Sequence, residues 1–286
     1  MKIKLINTQK VLSPTNISLA DYVINPFRGC EFGCLYCYSQ ENKNIKRDDF
    51  SSCLGVKNNA AQALERELRF KKPKRVLLGS TTECFQYQDL QYNLMEKILY
   101  ILNHNKIPYT ILTKSHLIRN CLPLIAQNKA NKIYFTFNSS SNTIIRFLEK
   151  KSPLLEERLK TITEIIQKGI DLRIHIGPFI PYISELDKIM KMIPAAVKEI
   201  DIELYHHQMG RFDKILEVVE KHMGKDLKEK LKKIYKNKTR YEEFAKNLKQ
   251  TIKEIQRAHP DKKFFYIVPD FSQYYSSTIN YEKAIL

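Results

Sequence analysis

From residue 22 to residue 205 the chain alternates short β-branched runs with stretches of helical periodicity, and this alternation restricts the fold more than any other feature. Strand-like runs fall at residues 22–25, 74–79, 108–113, 132–137, 170–176 and 200–205. Between them apolar residues recur at helical spacing over residues 56–69, 93–103, 115–128, 143–149, 152–169 and 184–191. Pro123 interrupts the third of these helices. Pro153 suits the first turn of the fifth, where its missing N–H costs nothing, and Gly169 suits its end. Strands separated by helices lie parallel, so one six-stranded parallel sheet is expected. Right-handed crossovers allow either a doubly wound sheet or a barrel, and the pattern alone does not choose between them.

After residue 205 the character changes. Residues 211–258 are rich in Lys and Glu and predict two or three amphipathic helices, and residues 264–268 predict a strand that Pro269 ends. Residues 1–20 read as a lead-in with a turn near residues 13–16. The expected organisation is a core over residues 1–205 and a basic helical C-terminal extension with a final strand over residues 206–286. A hydrophobic content of 43% in 286 residues supports a real core. The 48 Lys and Arg against 31 Asp and Glu give a net charge of +17, which favours polyanions such as nucleic acid. Solvation of helix faces is the other reading of the same lysines. Lys225, Lys228, Lys232 and Lys236 are spaced to form one cationic stripe on a helix. The chain has no Trp, so stacking on bases would fall to Tyr and Phe.

Residues 25–40 read NPFRGCEFGCLYCYSQ and place Cys30, Cys34 and Cys37 in the spacing C-x3-C-x2-C. Thiolates are soft ligands and suit zinc or iron–sulfur clusters. A structural zinc site wants four protein ligands, whereas a cubane held by three cysteines leaves one iron open to a small molecule. Gly29 and Gly33 permit backbone dihedrals and close approach that other residues resist. Cys53, Cys84 and Cys121 lie apart and form no second ligand motif. Six cysteines at this length do not read as a secreted disulfide framework. Residues 1–13 lack the apolar core of a signal peptide, and no apolar run approaches the roughly 20 residues that span a bilayer. A cytoplasmic location and no membrane partner are expected.

The cysteine spacing, with the aromatic Tyr36 just before the third cysteine, resembles the radical S-adenosylmethionine (radical SAM) superfamily. The longer run N-P-F-R-G-C-E-x-G-C-x-Y-C-Y resembles its spore photoproduct lyase branch. That resemblance covers roughly residues 20–205 and implies an α/β fold, an open six-unit partial (β/α) barrel with its chemistry at the C-terminal mouths of the strands. It implies a 4Fe-4S cluster on Cys30, Cys34 and Cys37, with S-adenosyl-L-methionine (SAM) at the open iron. It implies an external electron donor such as flavodoxin or ferredoxin. Reductive cleavage of SAM would give methionine and a 5′-deoxyadenosyl radical that abstracts hydrogen from a substrate. A nucleic-acid base is the leading substrate expectation. The alternatives are a radical enzyme acting on a peptide or small metabolite, and a non-catalytic zinc- or cluster-stabilised nucleic-acid-binding protein.

Carried over position by position, the resemblance sets Thr82 and Glu83 at the second strand end toward the methionyl amine, and Lys114 at the third toward the SAM carboxylate. Asn138 and Ser139 would serve ribose or carboxylate, and Gly177 and Pro178 would flank adenine. Tyr36 and Tyr38 stand beside the cluster, Tyr38 as a support for SAM or for radical transfer. Where the lyase uses a cysteine as hydrogen donor this chain has Ser80, with Cys84 four residues on as the remaining candidate, a departure that weighs against thymine-dimer repair. Glu203, Tyr205, His206 and His207 are expected at the sixth strand end. Adjacent strand residues point to opposite faces, so at most one of the two histidines faces the site.

Overall fold

The computed structural model describes residues 1–41, 49–208 and 210–272. Among these the strands are β1 (Lys2–Leu5), β2 (Ser13–Pro14), β3 (Tyr22–Ile24), β4 (Phe27–Arg28), β5 (Cys53–Val56), β6 (Val76–Leu78), β7 (Tyr109–Thr113), β8 (Lys132–Thr136), β9 (Asp171–Phe179), β10 (Glu199–Leu204) and β11 (Lys263–Ile267). The α-helices are α1 (Ala60–Leu68), α2 (Asp89–Tyr92), α3 (Leu94–His104), α4 (Leu122–Ile125), α5 (Asn142–Leu148), α6 (Leu155–Gln167), α7 (Leu186–Met192), α8 (Phe212–Met223), α9 (Lys225–Ile234) and α10 (Lys238–Ala258). The main sheet runs β11-β10-β9-β8-β7-β6-β3-β2. Every pairing from β3 to β11 is parallel, and β2 lies antiparallel on the β3 edge. The edges β2 and β11 do not pair with each other, so the barrel is open, as the resemblance implied.

The two faces of this sheet bury different chemistry. On the outer face Ile174, Ile176, Ile200 and Ile202 join one large apolar cluster with Ile98 and Leu102 of α3, Ile162 and Ile165 of α6, and Leu248 and Ile252 of α10. Each such side chain, fully buried, contributes about 1.5–3 kcal/mol, so the helix layer is where the fold gains most of its stability. The inner face holds a smaller cluster of Leu77, Tyr134, Ile267 and Leu19. Alternating with the outer isoleucines, β9 and β10 turn Arg173, His175, Glu199, Asp201 and Glu203 inward. Arg173 is held there by Glu199, 2.5 Å away, and by the rings of Phe265 and Tyr134.

Several elements differ from the sequence reading. The lead-in contains strands: β1 pairs parallel with β5, and β4 pairs antiparallel with β5, making a small second sheet around the cysteine loop. All four residues of β1 are exposed, so its short Lys-Ile-Lys-Leu alternation does not mark a buried face. The first helix starts at Ala60 because Val56 closes β5. The third becomes a 3-10 turn, His116–Cys121, followed by the short α4 with Pro123 in its first turn. The strand β9 runs on to Phe179, and its register against β10 shifts between Ile202 and Leu204. One extra β9 residue is accommodated there, where Pro178 has no N–H to give to the ladder. The final strand β11 pairs parallel with β10 as a seventh parallel strand, so the sheet draws on both sides of residue 205. The four-lysine stripe is shortened, because Lys236 lies beyond the end of α9 and Lys228 is paired with Glu220 at 2.5 Å. Among the described residues no helix is long and apolar enough to cross a membrane.

Candidate active site

The chain leaves β3 at Ile24 and enters a loop whose path is held from several sides. Gly29 has φ +87°, and a Cβ there would lie 2.7 Å from the Cys53 carbonyl oxygen and 2.8 Å from that of Phe50, so no other residue fits. The Glu31 amide donates to Gln86 Oε1 at 2.7 Å, and the Gln88 amide donates to Glu31 Oε1 at 2.9 Å. Gln40 Nε2 donates to the Cys34 carbonyl at 2.5 Å. From the far side, the Leu35 amide donates to the Leu148 carbonyl at 2.8 Å, and the Arg211 amide donates to the Leu35 carbonyl at 2.7 Å. A loop tied to three remote segments presents its thiols in one arrangement.

Cys30, Cys34 and Cys37 are free thiols that line one cavity of about 530 Å³. Burial pushes all three thiols up, Cys34 to about 12. Proximity to Cys34 and Cys37 raises Cys30 further, whereas Lys114 pulls Cys34 down. Ionising three such neighbouring thiols would require a cation among them, a demand that a bound metal would meet. Among the described residues no three His, Cys, Asp or Glu side chains converge on a point that would hold a single ion. Three thiols on one cavity are a soft donor set of the kind that iron–sulfur clusters take, with each thiolate on a different iron.

Much of the remaining cavity wall comes from the C-terminal ends of the parallel strands, with Thr15, Asn16 and Ile17 of the β2–β3 connection beside them. Ser80, Thr82 and Glu83 follow β6, and Lys114 follows β7. His175, Gly177 and Pro178 lie on β9, while Glu203 is the next-to-last residue of β10, with Tyr205 and His206 just beyond the strand. Glu83 accepts from Thr113 Oγ1 at 2.6 Å, from the Phe85 amide at 3.0 Å and from the Lys114 amide at 3.1 Å. Burial nevertheless raises its pKa above the usual carboxylate value. Lys114 Nζ lies 2.5 Å from the Tyr36 hydroxyl, 3.1 Å from Glu149 Oε1 and 3.6 Å from Cys34 Sγ. The Tyr38 hydroxyl donates to the Ser80 carbonyl, binding the cysteine loop to the β6 end. Asn25 makes a second such tie, with its Nδ2 3.1 Å from Ser80 Oγ and its Oδ1 3.0 Å from the Thr81 amide.

Four expected residues stand elsewhere. Cys84 is fully buried beside Gly79 and does not line the cavity, and burial pushes its thiol well up. The reason is that the chain turns inward after Glu83, and Ser80 takes the wall position. Asn138 lies behind the wall, its Nδ2 donating to the Tyr36 hydroxyl and Glu149, each at 3.2 Å. Ser139 turns back on its own loop, with its Oγ donating to the Ser141 carbonyl at 3.2 Å. His207 stacks among Phe212, Tyr235 and Phe271, whereas His206 lines the cavity with its Nε2 2.6 Å from the Asp270 carbonyl. Both histidines follow the end of β10, so neither is the surface pair that their sequence also allowed.

Sequence reasoning missed Glu149, Arg158 and Asp201. Glu149 accepts from Arg158 and Tyr36, from Ser152 Oγ at 2.6 Å and from Lys114 and Asn138. Ser152 and Arg158 are near it in the chain, but nothing local marks its link to the site, because Tyr36 and Lys114 stand 113 and 35 residues away. Asp201 accepts from His175 Nδ1 on the neighbouring strand. Here a signal existed: DLRIHI and EIDIEL alternate isoleucine or leucine with charged and polar residues, the mark of a strand with one polar face.

Comparison with known proteins agrees with this geometry. The sequence profile of the radical SAM superfamily matches residues 24–193. An uncharacterised protein of Mycobacterium tuberculosis (Rv2578c) is 31% identical over 188 residues, which are 61% of this chain and 55% of that one. The chain therefore spans about half the length of the mycobacterial relatives that it matches. An uncharacterised protein of Methanocaldococcus jannaschii (MJ0683) is 25% identical over 186 residues, covering 65% of this chain and 70% of that one. A spore photoproduct lyase variant with bound AdoMet and dinucleoside spore photoproduct superposes with a TM-score of 0.55 and 17% identity, over 77% of this chain and 65% of that one. Streptococcus suis SuiB bound to S-adenosylmethionine superposes with a TM-score of 0.53 and 13% identity, over 90% and 47% of the two chains. At these identities the structural likenesses are likenesses of fold. With more than half of its length matched by the superfamily profile, on an open parallel barrel that carries three cysteines at its mouth, the chain belongs to the radical SAM superfamily.

Proposed function

We propose that Cys30, Cys34 and Cys37 hold a 4Fe-4S cluster, that SAM binds in the same cavity, and that the protein is a radical SAM enzyme acting on a nucleic-acid base. The cluster, reduced by a donor such as flavodoxin or ferredoxin, would supply the electron that splits SAM into methionine and a hydrogen-abstracting 5′-deoxyadenosyl radical. One observation carries the reading: the three thiols, those of Cys30 and Cys34 buried and that of Cys37 partly so, share a cavity with the acceptor Glu83 and the cation Lys114. An ammonium and a carboxylate, the two charged ends of an amino acid, call for that pair of partners. Lys114 would exchange its contact with Tyr36 for the ligand carboxylate, and Glu83 would accept from the ammonium. Gly177 and Pro178 offer a flat, side-chain-poor wall suited to an aromatic base. Tyr38, fastened to the Ser80 carbonyl, would keep the cysteine loop in position.

The base substrate is supported by the net charge of +17 and by the likeness of fold to spore photoproduct lyase. Neither the Ser80 hydroxyl nor the buried Cys84 presents to the cavity a thiol that could give up a hydrogen atom, so we read the reaction as one other than dimer repair. Anaerobic reconstitution tests the assignment. Four iron and four sulfide per chain, with 5′-deoxyadenosine released on reduction by dithionite, are expected. Bound zinc without a visible chromophore, and no SAM cleavage, would overturn it in favour of a non-catalytic binding protein.

A further inference from the structure

The β9–β10 side of the cavity carries a polar chain that the cluster and SAM readings leave unused. His175 and Asp201 are partners in register on adjacent strands, and Glu203 lies two residues along the same face. His175 and Glu203 line the cavity, while Asp201 has no exposed surface. His175 Nδ1 is bonded to Asp201 Oδ2, and His175 Nε2 lies 3.7 Å from Glu203 Oε2. Asp201 Oδ1 is buried without a hydrogen-bond partner, so the carboxylate is committed to the imidazole. Gly177 leaves room for the ring: a Cβ there would fall 1.9 Å from His175 Nε2.

With its Nδ1–H given to Asp201, a neutral His175 would turn a lone pair toward the Glu203 carboxylate. Two acceptors facing each other repel, so the pair retains one proton between them. Burial disfavours the imidazolium, yet Asp201 and Glu203 outweigh both burial and Lys114, and His175 titrates above its usual value. Burial likewise raises Glu203. At 3.7 Å the two atoms are too far apart to satisfy each other. The cavity is thus offered a donor and an acceptor side by side.

We propose that His175 and Glu203, positioned by Asp201, read the substrate by its edge, taking a ligand that presents an N–H beside an acceptor atom, as a nucleobase does along its pairing edge. The N–H and C=O of a single trans peptide group point to opposite sides, so one peptide group cannot engage both residues at once. This inference rests on the function proposed above and narrows its substrate to the pairing edge of a base.

The test is equilibrium binding to the reconstituted, unreduced enzyme with SAM present. The probes are four homopolymeric trinucleotides, one for each base, and counterparts methylated on the pairing edge. At least one unmodified trinucleotide binds, its methylated counterpart binds about tenfold more weakly or worse, and Glu203→Gln or His175→Gln abolishes that difference. SAM affinity stays at the wild-type value in both variants. The proposal is overturned if no trinucleotide binds at millimolar concentration or if methylation changes nothing. It is equally overturned if the variants weaken SAM, which would make these residues part of the SAM site. Should a variant fail to fold, the methylation comparison on the wild type still decides. Because binding is read without reduction, loss of SAM cleavage in the wild type would strike the radical reading alone.

Discussion

Arg158 donates to Glu149 in an ion pair closed to solvent, with Arg158 at 0% and Glu149 at 1% exposure. The other Glu149 oxygen accepts from Lys114 and from the Tyr36 hydroxyl. One carboxylate thus joins α6 to the cysteine loop and to the end of β7. Removing one partner of a buried pair strands the other charge, at a cost of about 3–5 kcal/mol. Glu149→Gln should therefore lower the melting temperature of the apo protein and also weaken SAM binding, by releasing Lys114. A melting temperature equal to wild type would show that the pair carries no such load.

Each loop cysteine should be indispensable to the cluster. Cys30→Ala, Cys34→Ala and Cys37→Ala should each abolish SAM cleavage and deplete bound iron and sulfide. Cys53→Ala should leave both intact, and so should Cys121→Ala, because neither thiol lines the cavity. Iron and sulfide analysis after anaerobic reconstitution checks this, and a full cluster in the Cys34 variant would refute the ligand set.

Lys114→Ala should weaken SAM binding by tenfold or more while iron content is unchanged. A charge-assisted hydrogen bond to a carboxylate is worth about 1.5–3 kcal/mol, and Lys114 reaches Cys34 only at 3.6 Å. Isothermal titration with SAM decides, and an unaltered affinity would return Lys114 to a purely structural role with Glu149.

Asp89 should make stability fall as pH rises. Burial raises its pKa from 3.8 to about 6, against the amides of Met95 and Leu94 that its Oδ1 accepts. Below pH 3.8 the group is protonated in both folded and unfolded chains, so its contribution is fully present. As pH climbs through about 6 the folded protein loses that proton and the contribution with it. Asp89→Asn keeps an acceptor for both amides and carries no charge. Its advantage over wild type should appear above about pH 4, grow to on the order of 2 kcal/mol and level off past pH 6. Urea titrations at pH 4, 5 and 7 would show it, and a constant difference across the series would contradict it.

Local pattern was sufficient for the alternating elements and for the gathering of three thiols in residues 25–40. Strand and helix periodicities are properties of a few neighbouring residues, and C-x3-C-x2-C places its three thiols within one loop. The same holds for Thr82, Glu83 and Lys114, which follow strand ends and so share the barrel mouth by topology alone. The exposed strand β1 was not legible, because its partner β5 lies about fifty residues away and the Lys-Ile-Lys-Leu alternation of β1 spans only four residues.

What only the tertiary structure decided is where polar side chains turn after their strand or helix is set. Cys84 and Asn138 lie within a few residues of cavity-lining positions, yet both are held off the wall by the turn of the backbone and by hydrogen bonds to remote groups. Glu149 and Arg158 look like ordinary helix-surface charges until α6 packs behind the cysteine loop and excludes water from both. His175 and Asp201 become partners only through the register of β9 on β10. Periodicity says which face a residue shares. The energy of a buried charge depends on what stands opposite, and that is settled by contacts between segments far apart in the chain.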